Sequence, residues 1–567
     1  MRKIFEPALL LLIRLRPTDW QRTLAWAAVV GLSGALATLG FRACLVGLER
    51  LLYGTDGLVQ AAGSLPGWLR LAAPTLGGLL AGAVLAWEGR RAPSPHGDYM
   101  EAVVLGRGEL GTRSSLLRAL SSLCTVVSGG AIGREGPMVQ LAALTGSLLA
   151  GWRGMPVARR RLLVACAAAA GLTTAYGTPI AGALFIAEIV LQSLSTETLA
   201  PLLIASVTAH LTMAAFTGAH SLYQLPEVAP LEGPAFLLCG LLGLLAGLGA
   251  PLYLWLLDRA KAGFGRWTVP RPLKLAAGGL LVGLLSLQAP QVWGNGFSVV
   301  NGVLQGGWAW QALLLVLLFK VGAVAATTGS GAVGGIFTPT LFVGAVSGAL
   351  FSVAANLLFP AALPMPVGAA VGMGAFLAAS THAPLTSLLM VFEMTENYGV
   401  VAPLMLACVL AVSLSRLLRP DSVYASSQRA KAATDPRLAT AGDLLRTDSC
   451  VIGPGASIAE VEQRLLESRW RHVYVLDAQR HFTGVIPLHE LATRLKAPHD
   501  PAAPWPADLL RPDYPRLRED MPLWEVLQVF ESHPGERLPV LDAAGRLLGH
   551  VAKTDLVLML RDRLAIS

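Results

Sequence analysis

The feature that most constrains this chain is the length of its apolar runs. They recur at about residues 24–48, 72–87, 115–127, 162–175, 180–191, 199–216, 235–257, 275–287, 312–326, 341–358, 367–379, 385–394 and 400–414, and several fall short of the ~20 residues a membrane-crossing helix needs. Short runs broken by glycine or proline belong at membrane depth only where they meet inside protein, because unpaired backbone cannot face lipid. Charge shows which part of the chain is so placed. Residues 1–430 hold 27 Lys+Arg and 17 Asp+Glu, whereas residues 431–567, a third as long, hold 17 and 19. The front portion reads as embedded in membrane lipid and the tail as soluble in water. The net charge of +8 comes from the front (+10 against −2), with basic clusters such as Arg159, Arg160 and Arg161 at segment ends. That pattern points to anchoring at the cytoplasmic membrane face and not to nucleic acid.

The six cysteines, Cys44, Cys124, Cys166, Cys239, Cys408 and Cys450, form no CxxC pair and lie mostly in apolar runs, so neither a zinc site nor a disulfide framework is indicated. The basic N-terminus lacks a small-residue cleavage site and reads as a retained interfacial helix that starts in the cytoplasm. Glycine, 60 of 567 residues, exceeds the usual ~7%, as close helix contact and exposed backbone amides both require.

Two internal repeats follow. GGAIGREGP (129–137) is followed 42 residues after its proline by TPIAGALFIAEI (178–189); GSGAVGGIFTP (329–339) is followed 45 residues after its proline by APLTSLLMVFEM (383–394). Each pairs a glycine-rich loop with a Pro-led apolar helix carrying a glutamate nine residues on, Glu188 or Glu393. Two half-transporters of one plan are implied, parallel or inverted. The tail repeats with an offset of 65: Asp443/Asp508, Leu445/Leu510, Val475/Val540, Asp477/Asp542 and Gly484/Gly549. Helical patterns at 458–468 and 523–532 precede short strands, so the tail reads as tandem β-α-β units, each too small to close a core alone. The expected domains are 1–420 in the membrane, a linker over 421–436, and a tail over 437–567 divided into 437–497 and 502–567.

Three carboxylates lie well inside apolar segments: Glu135, Glu188 and Glu393. Burying one costs at least ~2.5 kcal/mol, which makes each a functional candidate, with pairing to a hydroxyl, amide or arginine as the plainer reading. Glu135 stands between Gly133 and Gly136 and ahead of Pro137, where a helix is expected to start. The outward N–H groups there carry partial positive charge and suit an anion. The second loop, Gly334 to Pro339, has the same design without the acid. Two such N-termini converging would dehydrate a halide weakly enough to let it leave again. A neighbouring carboxylate competes for the same amides until it is protonated. Glu135 is thereby expected to be both gate and proton carrier, with activity rising as pH falls.

GREGP at 133–137, GGIFTP at 334–339, APLTSLLMVFEMTENY at 383–398 and the tyrosine of DSVYASS at 421–427 resemble the signature stretches of the CLC family of chloride channels and proton/chloride exchangers. The similarity spans about residues 20–430. It implies a homodimer of all-α multi-pass subunits in the cell (inner) membrane, each an inverted repeat of tilted, broken helices with its own pathway for chloride and other small monovalent anions. It also implies that Glu135 is the gating glutamate, that Ile336 and Phe337 amides hold the central anion beside Arg134, Gly136 and Gly335, and that the Tyr424 hydroxyl caps it from inside. The family's first anion motif falls near residues 93–98, where counting back aligns Ser94 with its serine but the flanking glycines are gone; this variant resembles the ClcB-like bacterial branch. Exchangers of the family carry two consecutive acids where this chain has Glu188-Ile189. Because one residue turns a helix by about 100°, Glu188 does not simply substitute, though it stays a candidate on a proton path. Ile189 resembles the apolar residue of channel members, which favours passive or weakly proton-coupled conduction over stoichiometric antiport. Pro137 and the phenylalanine of GGIFTP argue against the fluoride-exporting branch.

The tail resembles a pair of CBS domains, which in this family hang on the cytosolic side and often sense adenine nucleotides. The second repeat, Gly549 to Asp555, places Thr554 and Asp555 where a hydroxyl and a ribose-binding aspartate are expected. The first, Gly484 to Glu490, lacks the hydroxyl, and a purely structural dimerising pair is the alternative. No other cofactor and no metal is expected. A membrane-embedded enzyme would need a nucleophile–base pair, and HExxH, GxSxG and grouped histidines are all missing. A CBS-regulated divalent-cation transporter would need hard carboxylate ligands facing a pore.

Overall fold

The structure, a computed structural model, describes residues 19–424 and 440–556 apart from 56, 90–97, 105, 219–220, 229–230, 232, 361, 448, 454, 468–471, 488–489, 491–499, 501–502, 522, 534 and 543. Ser94, the expected interfacial helix before residue 19, and residues 425–436 of the expected linker lie outside the described residues. The chain divides into two compact units, Met1–Ser426 and Ser427–Ser567.

The first unit is helical throughout. Its first half runs α1 (Asp19–Tyr53), α2 (Leu58–Ser64), α3 (Gly67–Glu88), α4 (Tyr99–Val104), α5 (Thr112–Val127), α6 (Glu135–Trp152), α7 (Val157–Tyr176), α8 (Pro179–Phe185) and α9 (Thr196–Thr217). Its second half runs α10 (Pro234–Gly265), α11 (Arg271–Gln288), α12 (Phe297–Gln305), α13 (Trp310–Gly329), α14 (Phe337–Leu358), α15 (Met365–Thr381), α16 (Pro384–Thr395) and α17 (Val401–Leu418). Among the described residues seven helical stretches are long and apolar enough to cross a membrane, and Pro179–Leu191, Met365–Thr381 and Pro384–Thr395 are the shorter apolar ones. This is the expected multi-pass architecture, and the short helices are covered by protein: nearly every residue of α15 is buried.

Small residues let these helices approach. A Cβ added at Gly348 of α14 would fall 2.0 Å from the Gly368 carbonyl of α15, and one at Gly372 would fall 2.5 Å from the Gly344 carbonyl. Packing here is therefore backbone on backbone, as expected where lipid offers no hydrophobic drive and contact must come from van der Waals fit. The α3–α11 pair is made the same way, with Gly279 against the Pro74 carbonyl. In α7 the run Val164 to Gly171 is wholly buried and nearly all small, which admits α1 and α6 at close range.

In the tail, β1 (Val451–Ile452), α18 (Ile458–Glu467), β2 (His472–Leu476) and β3 (Phe482–Pro487) form the first unit, and β4 (Leu517–Arg518), α19 (Leu523–Ser532), β5 (Arg537–Leu541) and β6 (Leu547–Ala552) the second. Each sheet pairs its first two strands parallel and its last two antiparallel. The 65-residue offset reappears in the register: Val475 faces Gly484 as Val540 faces Gly549. Single bridges Arg446–His550 and Val485–Arg511, again offset mates, join each unit to the segment preceding the other. Each half thus completes its neighbour, as two cores too small to stand alone require.

Candidate functional site

The two glycine-rich loops meet. Gly133 N–H donates to the Gly335 carbonyl at 2.7 Å and Gly335 N–H to the Gly133 carbonyl at 2.9 Å, an antiparallel bridge between repeat-equivalent residues. Such an exchange between equivalent residues gives the halves a local two-fold relation. Close approach is possible because neither residue has a side chain: a Cβ on Gly335 would strike Glu135 Cγ at 2.7 Å. From the bridge α6 and α14 depart with their first helical residues, Glu135 and Phe337, beside it.

Glu135 is 4% exposed, and its Oε1 accepts the Thr338 N–H of α14 at 2.8 Å while Oε2 has no partner among the described residues. The carboxylate of one half thus rests on the opened backbone of the other. Neither Ile336 nor Phe337 N–H has an acceptor among the described residues, the ordinary state of amides at a helix start. Gly335, expected beside the anion, has its own N–H engaged by the Gly133 carbonyl. Gly136 packs closely on the Gly334–Gly335 peptide, and the Arg134 side chain lines a small cavity shared with Glu135, Tyr176, Tyr223, Asn295 and Thr338. On the other side of Phe337 an aromatic column forms: Phe337 lies 5.1 Å from Tyr176 and 5.9 Å from Phe185, which stands edge-on to Tyr424 at 5.6 Å. Tyr176 and Thr338 hydroxyls hydrogen-bond at 2.8 Å. The structure therefore gathers Arg134, Glu135, Gly136, Ile336, Phe337 and, through the rings, Tyr424.

Glu188 and Glu393 are placed elsewhere, and reciprocally. Glu188 Oε2 accepts the Thr386 N–H (2.9 Å) and hydroxyl (2.6 Å) at the start of α16, and Glu393 on α16 accepts the Ile180 (2.9 Å) and Ala181 (2.8 Å) N–H groups at the start of α8. Each Pro-led helix is capped by the glutamate nine residues into its mate, satisfying amides that would otherwise be orphaned. The helix bearing Glu188 widens to a π turn over Ile186–Leu191, and Ile189 is buried.

Sequence reasoning missed Lys320. It is wholly buried in α13, and its Nζ donates to the Val292 (2.9 Å) and Gly294 (2.7 Å) carbonyls. The signal was present, since a lone lysine interrupts LLLVLLFKVGAVAATTG.

In the tail, Asp555 receives two hydrogen bonds of 2.6 Å from Arg446, and Glu490, its near-equivalent in the first repeat, two of 3.0 Å from Arg511. Thr554 is exposed. The repeat aspartates brace the hairpins: backbone N–H bonds from His481 hold the Asp477 carboxyl below its ordinary range, and those from Arg546 do the same for Asp542.

A membrane unit of two halves meeting at glycine-linked helix starts, followed by a tandem β-α-β tail, defines a class of membrane transport protein with a soluble paired domain. The family model for voltage gated chloride channels matches residues 77–416, CBS-domain models match 441–497 and 507–562, and the chain belongs to the CLC family of chloride transport proteins. It is 53% identical over 409 residues to a ClcB-like protein of Ralstonia nicotianae, covering 71% of this chain and 95% of that one. It is 43% identical over 410 residues to the voltage-gated ClC-type chloride channel ClcB of Citrobacter koseri, covering 71% and 98%. Among solved structures, a slow cyanobacterial Cl−/H+ antiporter aligns with TM-score 0.66 at 27% identity, over 73% of this chain and 99% of that one. A eukaryotic CLC transporter aligns over 94% of this chain and 98% of its own at TM-score 0.63; at 19% identity that likeness speaks to fold alone.

Proposed function

We propose that this protein conducts chloride across the cell (inner) membrane through a pathway gated by protonation of Glu135, as a homodimer with its N-terminus and tail in the cytoplasm. The observation that carries the reading is the Glu135 carboxylate resting on the Thr338 N–H at the bridged helix starts. In that place the carboxylate is a tethered anion; protonated, it loses its charge-assisted bond and yields the amides to a mobile one. Ile336 and Phe337 supply the central amides, Arg134 and Gly136 the outer approach, and Tyr424 the inner end of the column. Conduction is channel-like or weakly coupled, a reading supported by Ile189 and by the engagement of Glu188 as a helix cap. Likeness to a Cl−/H+ antiporter at 27% identity favours stoichiometric antiport as the second reading. In the tail, Thr554 and Asp555 form the candidate adenine-nucleotide position, and occupancy requires Arg446 to release Asp555.

The test is chloride flux from liposomes between pH 4 and 8. Wild-type flux is expected to rise as pH falls, and Glu135→Gln to hold it high and flat. A variant that stays shut at neutral pH overturns the gate. Proton movement driven by a chloride gradient in fixed ratio would instead select the antiport reading.

A further inference from the structure

Away from the chloride pathway, the membrane unit gathers arginine and tryptophan at one end. Ser114 at the start of α5 donates to Glu88 at the end of α3, and Arg160 near the start of α7 pairs with Glu109, just before α5. Since α6 runs into α7 through residues 153–156, the ends of α3 and α6 and the starts of α5 and α7 lie together. Two guanidinium-on-indole stacks stand here. Arg113 lies over Trp87 at 5.2 Å, and Arg153 lies over both Trp26 of α1, at 5.1 Å, and Trp152 of α6, at 4.9 Å.

The second stack marks where lipid tails give way to headgroups. Leu148 on α6 and Val29, Leu32 and Leu36 on α1 are exposed apolar side chains of membrane-embedded helices, which acyl chains must cover. Trp26 and Trp152 come one turn further out, and Trp152 is 76% exposed. An indole, apolar in its rings and polar at its N–H, suits that boundary.

Arg153 also differs from its neighbours. The segment from Trp152 to Arg161 holds four arginines and no acid. Arg160 is paired with Glu109, and Arg161 donates to the Val103 and Val104 carbonyls. The Arg153 side chain meets the two indoles but no carboxylate or other acceptor among the described residues. Its backbone is nevertheless fixed. The chain turns at Gly154 (φ +59°), whose N–H donates to the Gly151 carbonyl at 2.9 Å, while the Met155 N–H donates to the Ala150 carbonyl at 3.1 Å and the Met155 side chain is buried. The space alongside is open, for a Cβ built on Gly151 or Gly154 would meet no atom within 4 Å. A guanidinium carries its five N–H donors in its own plane, so rings on its faces leave its edge for two parallel bonds to a phosphate.

We propose that Arg153, clamped between Trp26 and Trp152, is a binding site for the phosphate of an anionic phospholipid. A free phosphate offers the same oxyanion, but only a lipid also supplies acyl chains to lie along Leu148, Val29 and Leu32. A zwitterionic lipid brings its own cation to compete with the arginine. The site is independent of the gate reading, since none of its residues belongs to the Glu135 cavity.

The experiment uses the full-length protein in detergent, titrated with phosphatidylglycerol or phosphatidylcholine, then heated and read by the monodisperse fraction that survives. Phosphatidylglycerol is expected to raise the wild-type midpoint more than phosphatidylcholine does. Arg153→Gln should need about fivefold more phosphatidylglycerol for the same rise, and a Trp26→Leu, Trp152→Leu double variant about threefold more. Arg153→Lys falls between wild type and Arg153→Gln, because an ammonium keeps the charge but not the planar fork. Equal responses to the two lipids overturn the proposal, as does an Arg153→Gln response equal to that of wild type. Inorganic phosphate reproducing the rise, with the same loss in Arg153→Gln, overturns lipid as the occupant. Should Arg153→Gln yield no monodisperse protein, Trp152→Leu at its exposed position decides, and an unaltered phosphatidylglycerol response there overturns the clamp.

Discussion

Glu135 and Phe337 occupy equivalent places, 202 residues apart, as the first residues of α6 and α14. Around them the halves agree: Gly133 bridges Gly335, Pro137 matches Pro339, and Glu188 and Glu393 exchange caps. Between these matched glycines and prolines the loops differ at three successive pairs, Arg134/Ile336, Glu135/Phe337 and Gly136/Thr338, and the middle pair sets an acid against an aromatic ring. One side chain is a carboxylate lying on the opposite backbone; the other is a ring joined to Tyr176 and Phe185. Residues that the two-fold repeats hold the frame, and the residues that break it carry the proposed chemistry.

The sharpest way to break this comparison is to erase the asymmetry. Glu135→Ala is expected to abolish the pH response of chloride flux in liposomes, whereas Phe337→Ala should leave that response in place while altering anion selectivity in bi-ionic measurements. Next in size is the frame. Gly348→Ala forces a methyl against the Gly368 carbonyl and should cost about 1–3 kcal/mol or more, read as a lower melting temperature in detergent. Its repeat mate Gly146→Ala, where the nearest atom is the Ala167 methyl at 2.8 Å, should cost less. The exchanged caps sharpen the symmetric side: Glu188→Gln and Glu393→Gln should each lower stability by about 1–2 kcal/mol, and similarly to one another. Strongly unequal losses would mean that one of the pair does more than cap.

The smallest effect falls in the tail. Because Asp477 and Asp542 titrate below their unfolded value near 3.9, their support is complete above about pH 4 and is lost as pH falls through their lower, folded values. The wild-type tail's melting temperature should therefore drop on acidification below about pH 4, and an Asp477→Asn, Asp542→Asn double variant should start lower and drop less. An identical acid response in both would remove the carboxylates from the account.

Much of this was legible in the chain. Interrupted runs required broken helices packed inside protein, and the spacing of Gly-Arg-Glu-Gly-Pro and Gly-Gly-Ile-Phe-Thr-Pro marked two helix starts that the structure brings together. The nine-residue step from Pro179 to Glu188 and from Pro384 to Glu393 was visible as a repeat. Its cause was not, because a cap taken from the other half, some 200 residues away, leaves no local signature. The Gly133–Gly335 bridge was equally hidden, since backbone pairing between glycines has no side-chain pattern to read. The π turn at Ile186–Leu191 also escaped a reading based on 100° steps. Lys320 is one cation in an apolar run, and nothing local to that run marks the Val292 and Gly294 carbonyls that hold it.

The Gly133–Gly335 bridge also constrains what kind of movement can let an ion past. Rocking one half against the other would tear two peptide hydrogen bonds at the crossing point on each cycle, whereas swinging the Glu135 side chain breaks a single contact, to Thr338. Side-chain rotations run on picosecond-to-nanosecond scales and collective rearrangements on microseconds to milliseconds. On the proposed gate reading, a passage built this way is a fixed throat with a swinging latch, and its speed follows how often that latch finds a proton.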